Sequence, residues 1–140
     1  MRNRTLAAVL ATGALALAPL APRASADAPP TTHPVKMVMV GSAARFEPAE
    51  LTIRAGDRVR FINASGGPHN VSFDPARVPD DAERALSAGM PAQMQPLWGP
   101  LVTEANGAYT ITFAGVKPGR YEFFCMPHLA MGMKGVVTVQ

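Results

Sequence analysis

Cys125-Met126-Pro127-His128, with Met133 five residues beyond the histidine, is the part of this chain best suited to chemistry. Cys125 is the only cysteine, and it ends the aromatic run Tyr121-Glu122-Phe123-Phe124. A second histidine, His69, stands far upstream in Gly66-Gly67-Pro68-His69-Asn70. One thiolate, two imidazoles and one thioether make a donor set suited to a single copper ion. Thiolate and thioether are soft and favour Cu(I), while imidazole binds both oxidation states. Two nitrogens and a sulfur in a plane, with a weak axial sulfur, lie between the geometries the two states prefer. An electron can then arrive or leave with little rearrangement.

The axial donor has two candidates. Met133 lies eight residues after the cysteine and Met131 six. Met133 is the expected ligand because its register directly precedes the last strand pattern; Met131 would then be an apolar surface residue near the metal. Taken singly, these residues say little. A lone His69 is more often a turn or core histidine, His128 a surface residue, and Met133 core filler. Their joint spacing gives the reading. His33 sits in a Pro-rich stretch and reads as solvated, with adventitious metal binding as its alternative.

Rival functions follow from the same residues. Met90, Met94, Met126 and Met131 would suit an exported copper chaperone or copper-resistance protein. A chaperone that must release its copper, however, gains little from a thiolate locked between strands. A multicopper enzyme needs further histidine clusters, and only His33 is spare. A Cys-His hydrolase needs an orienting third group that Cys125 and His128 lack. The chain therefore reads as a carrier and not an enzyme.

The site must be held by strands. Short β-like runs stand at 35–40, 50–54, 58–61, 69–73, 108–113, 120–125 and 136–139, and several of them alternate apolar and polar residues. Leu51 with Ile53, Val59 with Phe61, Tyr109 with Ile111 and Phe113, and Tyr121 with Phe123 and Cys125 each share a face. Turns such as Ala55-Gly56-Asp57 and Lys117-Pro118-Gly119 separate them. The pattern predicts an all-β, antiparallel β-sandwich. One short helical segment is expected from Asp80 to Leu86, which has an acidic start. Residues 89–107, with three prolines and Trp98, read as an ordered but irregular loop.

Composition bounds the rest. The first 26 residues read as an export signal peptide: Arg2 and Arg4, a charge-free apolar run from Leu6 to Ala18, then Ala24-Ser25-Ala26 for cleavage before Asp27. The run is too short for a membrane helix, so the mature chain carries no transmembrane segment. Of 13 Lys plus Arg, three leave with the signal and none of the 10 Asp plus Glu does. The mature chain is then near neutral, which gives no reason to expect nucleic acid. Residues 27–34 read as a flexible lead-in and 35–140 as one domain. A single cysteine can close no internal disulfide.

The segments Gly67-Pro68-His69-Asn70-Val71-Ser72-Phe73-Asp74 and Tyr121 to Met133 resemble the two ligand segments of the cupredoxin family, in its plastocyanin-like and pseudoazurin-like form. The Met131 spacing resembles that of amicyanin. The resemblance covers roughly residues 35 to 140. It implies a Greek-key sandwich with one type 1 copper on His69, Cys125, His128 and Met133. It also implies an Asn70 backbone amide donating to the Cys125 sulfur, and His128 as the solvent-edge port. Met126, Pro127, Leu129, Ala130 and Met131 would make an apolar rim for brief docking. The implied protein is an exported, periplasmic or lumenal monomer. It would carry electrons between transient redox partners, a c-type cytochrome and a membrane or reductase complex among them. Phe124 stands where plant plastocyanins have tyrosine, and Asp80, Asp81 and Glu83 make only a small acidic cluster. These departures leave photosynthetic and respiratory roles both open.

Overall fold

Period-two alternation broken by glycine and proline builds eight strands in a computed structural model that describes residues 28–140. The export signal at 1–26 and the cleavage point before Asp27 lie outside the described residues. The strands are β1 Thr32–Val40, β2 Ala43–Glu47, β3 Glu50–Ile53, β4 Arg58–Asn63, β5 Ser72–Phe73, β6 Ala108–Thr112, β7 Gly119–Phe124 and β8 Lys134–Val139. They form two four-stranded sheets, ordered β2-β1-β4-β6 and β3-β8-β7-β5. Helix α1, Asp80–Ala88, is longer than expected by two residues and buries Ala82 and Leu86 one turn apart.

The sandwich is mixed rather than wholly antiparallel. β1 runs parallel to β4, and β3 parallel to β8. The chain crosses from one sheet to the other between β2 and β3; β2 pairs antiparallel with β1, and β3 enters the second sheet parallel to β8. β1 also starts earlier than the sequence suggested. Thr32, His33 and Pro34 pair with Arg58, Val59 and Arg60, so the lead-in is not flexible to residue 34. His33 is not simply solvated either. Its Nε2 lies 3.0 Å from Asp57 Oδ2, and only about a quarter (27 %) of the side chain is exposed.

Inward-facing aromatics fill the core. Phe123 meets Phe46 edge-on at 4.7 Å and Phe61 at 5.5 Å between ring centroids. Its backbone neighbour across the sheet is Gly135 of β8. A Cβ at Gly135 would stand 2.4 Å from the Phe123 ring and 2.7 Å from Ala49 O. Gly135→Ala should therefore cost about 1–3 kcal/mol by overpacking. Chemical denaturation checks it; an unchanged midpoint would show that the ring can yield.

Candidate metal centre

Three short devices bring the chemistry to one end of the sandwich. Cys125 leaves β7 still in its inward register, after Tyr121 and Phe123, and is fully buried. Residues Met126–Met131 then coil as two short 3₁₀ pieces kinked at His128, with Pro127 at the start of the turn. Gly132 closes the turn at φ 78°, a conformation glycine adopts without strain. The backbone is tied across this turn: Cys125 N–H donates to Met133 O at 3.1 Å, and Met133 N–H to His128 O at 3.2 Å. Cysteine, histidine and methionine thus hang from one hairpin.

His69 reaches them from the other side. Its Nδ1 lies 3.7 Å from Cys125 Sγ, and His128 Nδ1 lies 3.4 Å from the same sulfur. The three donor atoms fall within 4.8 Å of one another. The two imidazole rings are 4.6 Å apart, centre to centre. Met133 is buried completely, whereas Met131 is 41 % exposed. His69 is sealed, and His128 keeps 6 % exposure at the surface of the molecule.

The donors fit a copper ion better than they fit each other. His69 Nδ1 faces only a sulfur at 3.7 Å, a weak acceptor at long range. Burial, with a smaller contribution from His128, pushes the His69 pKa down, so the ring stays neutral and able to bind metal. Burial pushes the Cys125 thiol up, and backbone N–H groups of Asn70 and His128 at the sulfur partly offset it. Both N–H groups favour the thiolate. No carboxylate belongs to this cluster among the described residues, which suits a soft ion over a hard one.

Asn70 does more than the sequence implied. Beside its amide at the sulfur, its Oδ1 accepts the Met126 N–H at 2.8 Å, and its Nδ2 reaches Ser72 Oγ at 3.1 Å. One side chain therefore ties together the two segments that carry the donors. Asn63 was missed altogether. It is buried at the end of β4; its Nδ2 donates to Gly67 O and Val102 O, and its Oδ1 accepts Gly66 N–H. It thereby anchors the Gly66-Gly67-Pro68 loop before His69. The signal was present: Asn63 continues the inward register of Val59 and Phe61, where a polar residue needs a reason.

The outward residue before the cysteine, Phe124, packs edge-on against Trp98 at 6.3 Å. The apolar rim is real on the surface: Met126, Leu129 and Met131 are all exposed around His128.

A buried thiol-and-imidazole cluster at the end of a mixed two-sheet sandwich defines a copper protein of the cupredoxin kind. Residues 34–140 match the family described as copper binding proteins, plastocyanin/azurin family. The chain belongs to that family. It is 38 % identical over 123 residues to the plastocyanin of Nostoc punctiforme, spanning 85 % of this chain and 78 % of that one. With the plastocyanin of Scenedesmus fuscus the identity is 36 %, over 76 % of this chain and 97 % of the relative. Among solved structures, oxidised plastocyanin from Dryopteris crassirhizoma superimposes with a TM-score of 0.61 at 29 % identity, covering 76 % of this chain and 99 % of its own. Pseudoazurin from Methylobacterium extorquens AM1 gives 0.53 at 29 % identity, covering 77 % and 74 %. The chain is thus a copper-binding electron carrier that serves redox partners, and not an enzyme. These likenesses do not favour the copper-chaperone alternative.

Proposed function

We propose that His69, Cys125, His128 and Met133 hold one copper ion, and that the chain is an exported monomer passing single electrons through the edge of His128. The observation that carries this reading is the convergence of two imidazole Nδ1 atoms on one buried sulfur, 3.7 and 3.4 Å away. Copper bound there supplies the one-electron Cu(II)/Cu(I) couple. The chain's own residues do the remainder. His69 and Cys125 belong to segments packed into the sandwich, so they keep their places when charge changes. Core side chains and the 3₁₀ turn exclude water from the sulfur. His128 leaves a small window to solvent, and the exposed Met126, Leu129 and Met131 around it suit a brief, mainly apolar contact.

The partner on each side is a redox protein, a c-type cytochrome or a membrane or reductase complex. Export to a periplasm or lumen is supported by the apolar run from Leu6 to Ala18 and by the plastocyanin likeness. Among the described residues no helix is long and apolar enough to cross a membrane.

The axial assignment rests on burial, and substitution tests it. A thioether would match Cu(I) in softness, but the more highly charged Cu(II) would lose more when any donor is withdrawn, so replacing the methionine donor by an alkyl chain should raise the reduction potential. Met133→Leu should raise the potential of the copper-loaded protein by voltammetry. Met131→Leu should leave it in place. The reverse pattern would move the axial ligand to Met131.

A further inference from the structure

The segment carrying His69 is paired on both edges. On one edge Ser72 and Phe73 lie opposite Phe124 and Phe123 of β7. On the other it runs against residues 97–102 of the long loop. His69 and Val102 exchange two backbone hydrogen bonds, at 3.0 and 2.8 Å. Continued in that register, Val71 would face Pro100, which has no N–H to offer. The loop takes in one extra residue at that point. Gly99 donates to Val71 O at 2.9 Å instead, and Phe73 N–H reaches Leu97 O at 2.9 Å. Three steps along the loop, from Val102 to Gly99, thus face two along the ligand segment, which is a β-bulge.

The bulge leaves Val71 N–H without a carbonyl partner. Val71 is fully buried, where an unpaired N–H is strongly disfavoured. The partner it finds comes from the opposite sheet: Tyr109 of β6 accepts that N–H on its phenolic oxygen at 2.6 Å. Gly99 makes the approach possible. A Cβ there would stand 2.9 Å from the Tyr109 hydroxyl and 3.0 Å from Val71 O.

We propose that Tyr109 is a positioning residue for the copper site. By taking the Val71 N–H, its hydroxyl fixes the backbone of residues 69–71 so that His69 Nδ1 and the Asn70 N–H both address the Cys125 sulfur. Tyr109 acts through that backbone and need touch no ligand. An N–H at the sulfur draws electron density from the thiolate; when it loosens, the sulfur donates more to Cu(II) and the reduction potential falls. The inference rests on the ligand assignment proposed above.

Tyr109→Phe removes the acceptor and little else. In the metal-free protein, amide hydrogen exchange at Asn70 and Val71 should quicken by about tenfold or more, while amides of β1 and β4 keep their rates. In the copper-loaded protein the potential should fall. Gly99→Ala, which crowds the hydroxyl away without removing it, should move both measurements in the same direction. An unchanged potential in copper-loaded Tyr109→Phe overturns the proposal, as does exchange at Asn70 and Val71 no faster than elsewhere. If the parent protein takes up no copper, the ligand assignment fails on its own, and the exchange experiment, which needs no metal, still decides the role of Tyr109.

Discussion

Cys125→Ser is expected to abolish the intense visible absorption of the copper-loaded protein while leaving the fold in place. The colour of such a site belongs to the bond between copper and a thiolate, and Cys125 is the chain's only sulfur that can ionise. A serine hydroxyl does not ionise in that pocket and is a hard donor where a soft one is needed. His69 and His128 remain, so weakened binding of a pale ion is the expected residue of function. The fold survives because serine is smaller than cysteine. The Asn70 N–H beside the sulfur can donate to a hydroxyl in its place. Absorption spectra with a copper titration, set beside circular dichroism, read both halves. A serine variant that stays strongly coloured would show that copper is held without Cys125, and the proposed ligand set would be lost with it.

The second large effect lies at Asp57, which belongs to the turn before β4 and does not touch the donor cluster. Its carboxylate is 2 % exposed. It accepts from Thr31 N–H at 2.8 Å, His33 Nε2 at 3.0 Å, Arg54 N–H at 3.1 Å and the Arg54 guanidinium at 3.3 Å. These bonds clasp the start of β1 to the turn between β3 and β4. Asp57→Ala would leave the Thr31 and Arg54 amides without their acceptor, at a cost of about 3 kcal/mol. The larger values seen for sealed ion pairs do not apply, since His33 and Arg54 are partly exposed and can turn to water. Burial alone pushes the Asp57 carboxyl up, but the donors from Thr31, His33 and Arg54 outweigh it and hold the group well below the usual carboxylate range. The folded state therefore keeps the ionised form more firmly than the unfolded chain, whose Asp titrates near about 3.9. The contribution is complete above that pH and drains away as acid is added below it. Denaturant melts between neutral and acid pH, in the parent and the Ala variant, measure the difference. The gap should be widest near neutrality and close towards strong acid; a gap that is flat with pH would assign the loss to packing.

The proposed donor residues stood out in the sequence because copper chemistry is demanding about atom types, and the chain has a single cysteine to build around. The inward register of Tyr121, Phe123 and Cys125 was readable because alternation is local. What failed were properties held by distant partners. His33 looked solvated because Asp57, which pairs with it, is 24 residues away. The parallel pairing of β1 with β4 leaves no trace in either strand's own pattern. β2 escaped notice because only Ala44 and Phe46 face inward in its five residues. The loop at 89–107 looked irregular for a sound reason: Pro100 cannot donate, and Leu97 takes a positive φ of 64°. Its purpose shows only when its backbone is laid beside His69. Asn63 and Tyr109 were both visible as residues and silent as roles: the bonds of Asn63 to Gly66 and Gly67 depend on the shape of a turn that alternation does not describe, and Tyr109 meets Val71 across 38 positions of chain.

His69 and Cys125 are separated by 56 positions along the chain. An ion gripped by both is, in polymer terms, a cross-link closing a large ring, and a chain with one cysteine has no covalent way to make such a ring within itself. A permanent tie of that span would remove conformational freedom from the unfolded chain worth about 4 kcal/mol. On the proposed ligand set, the ion that would carry the electron would also act as a fastener for as long as it stays bound, and removing it should lower the stability of the sandwich.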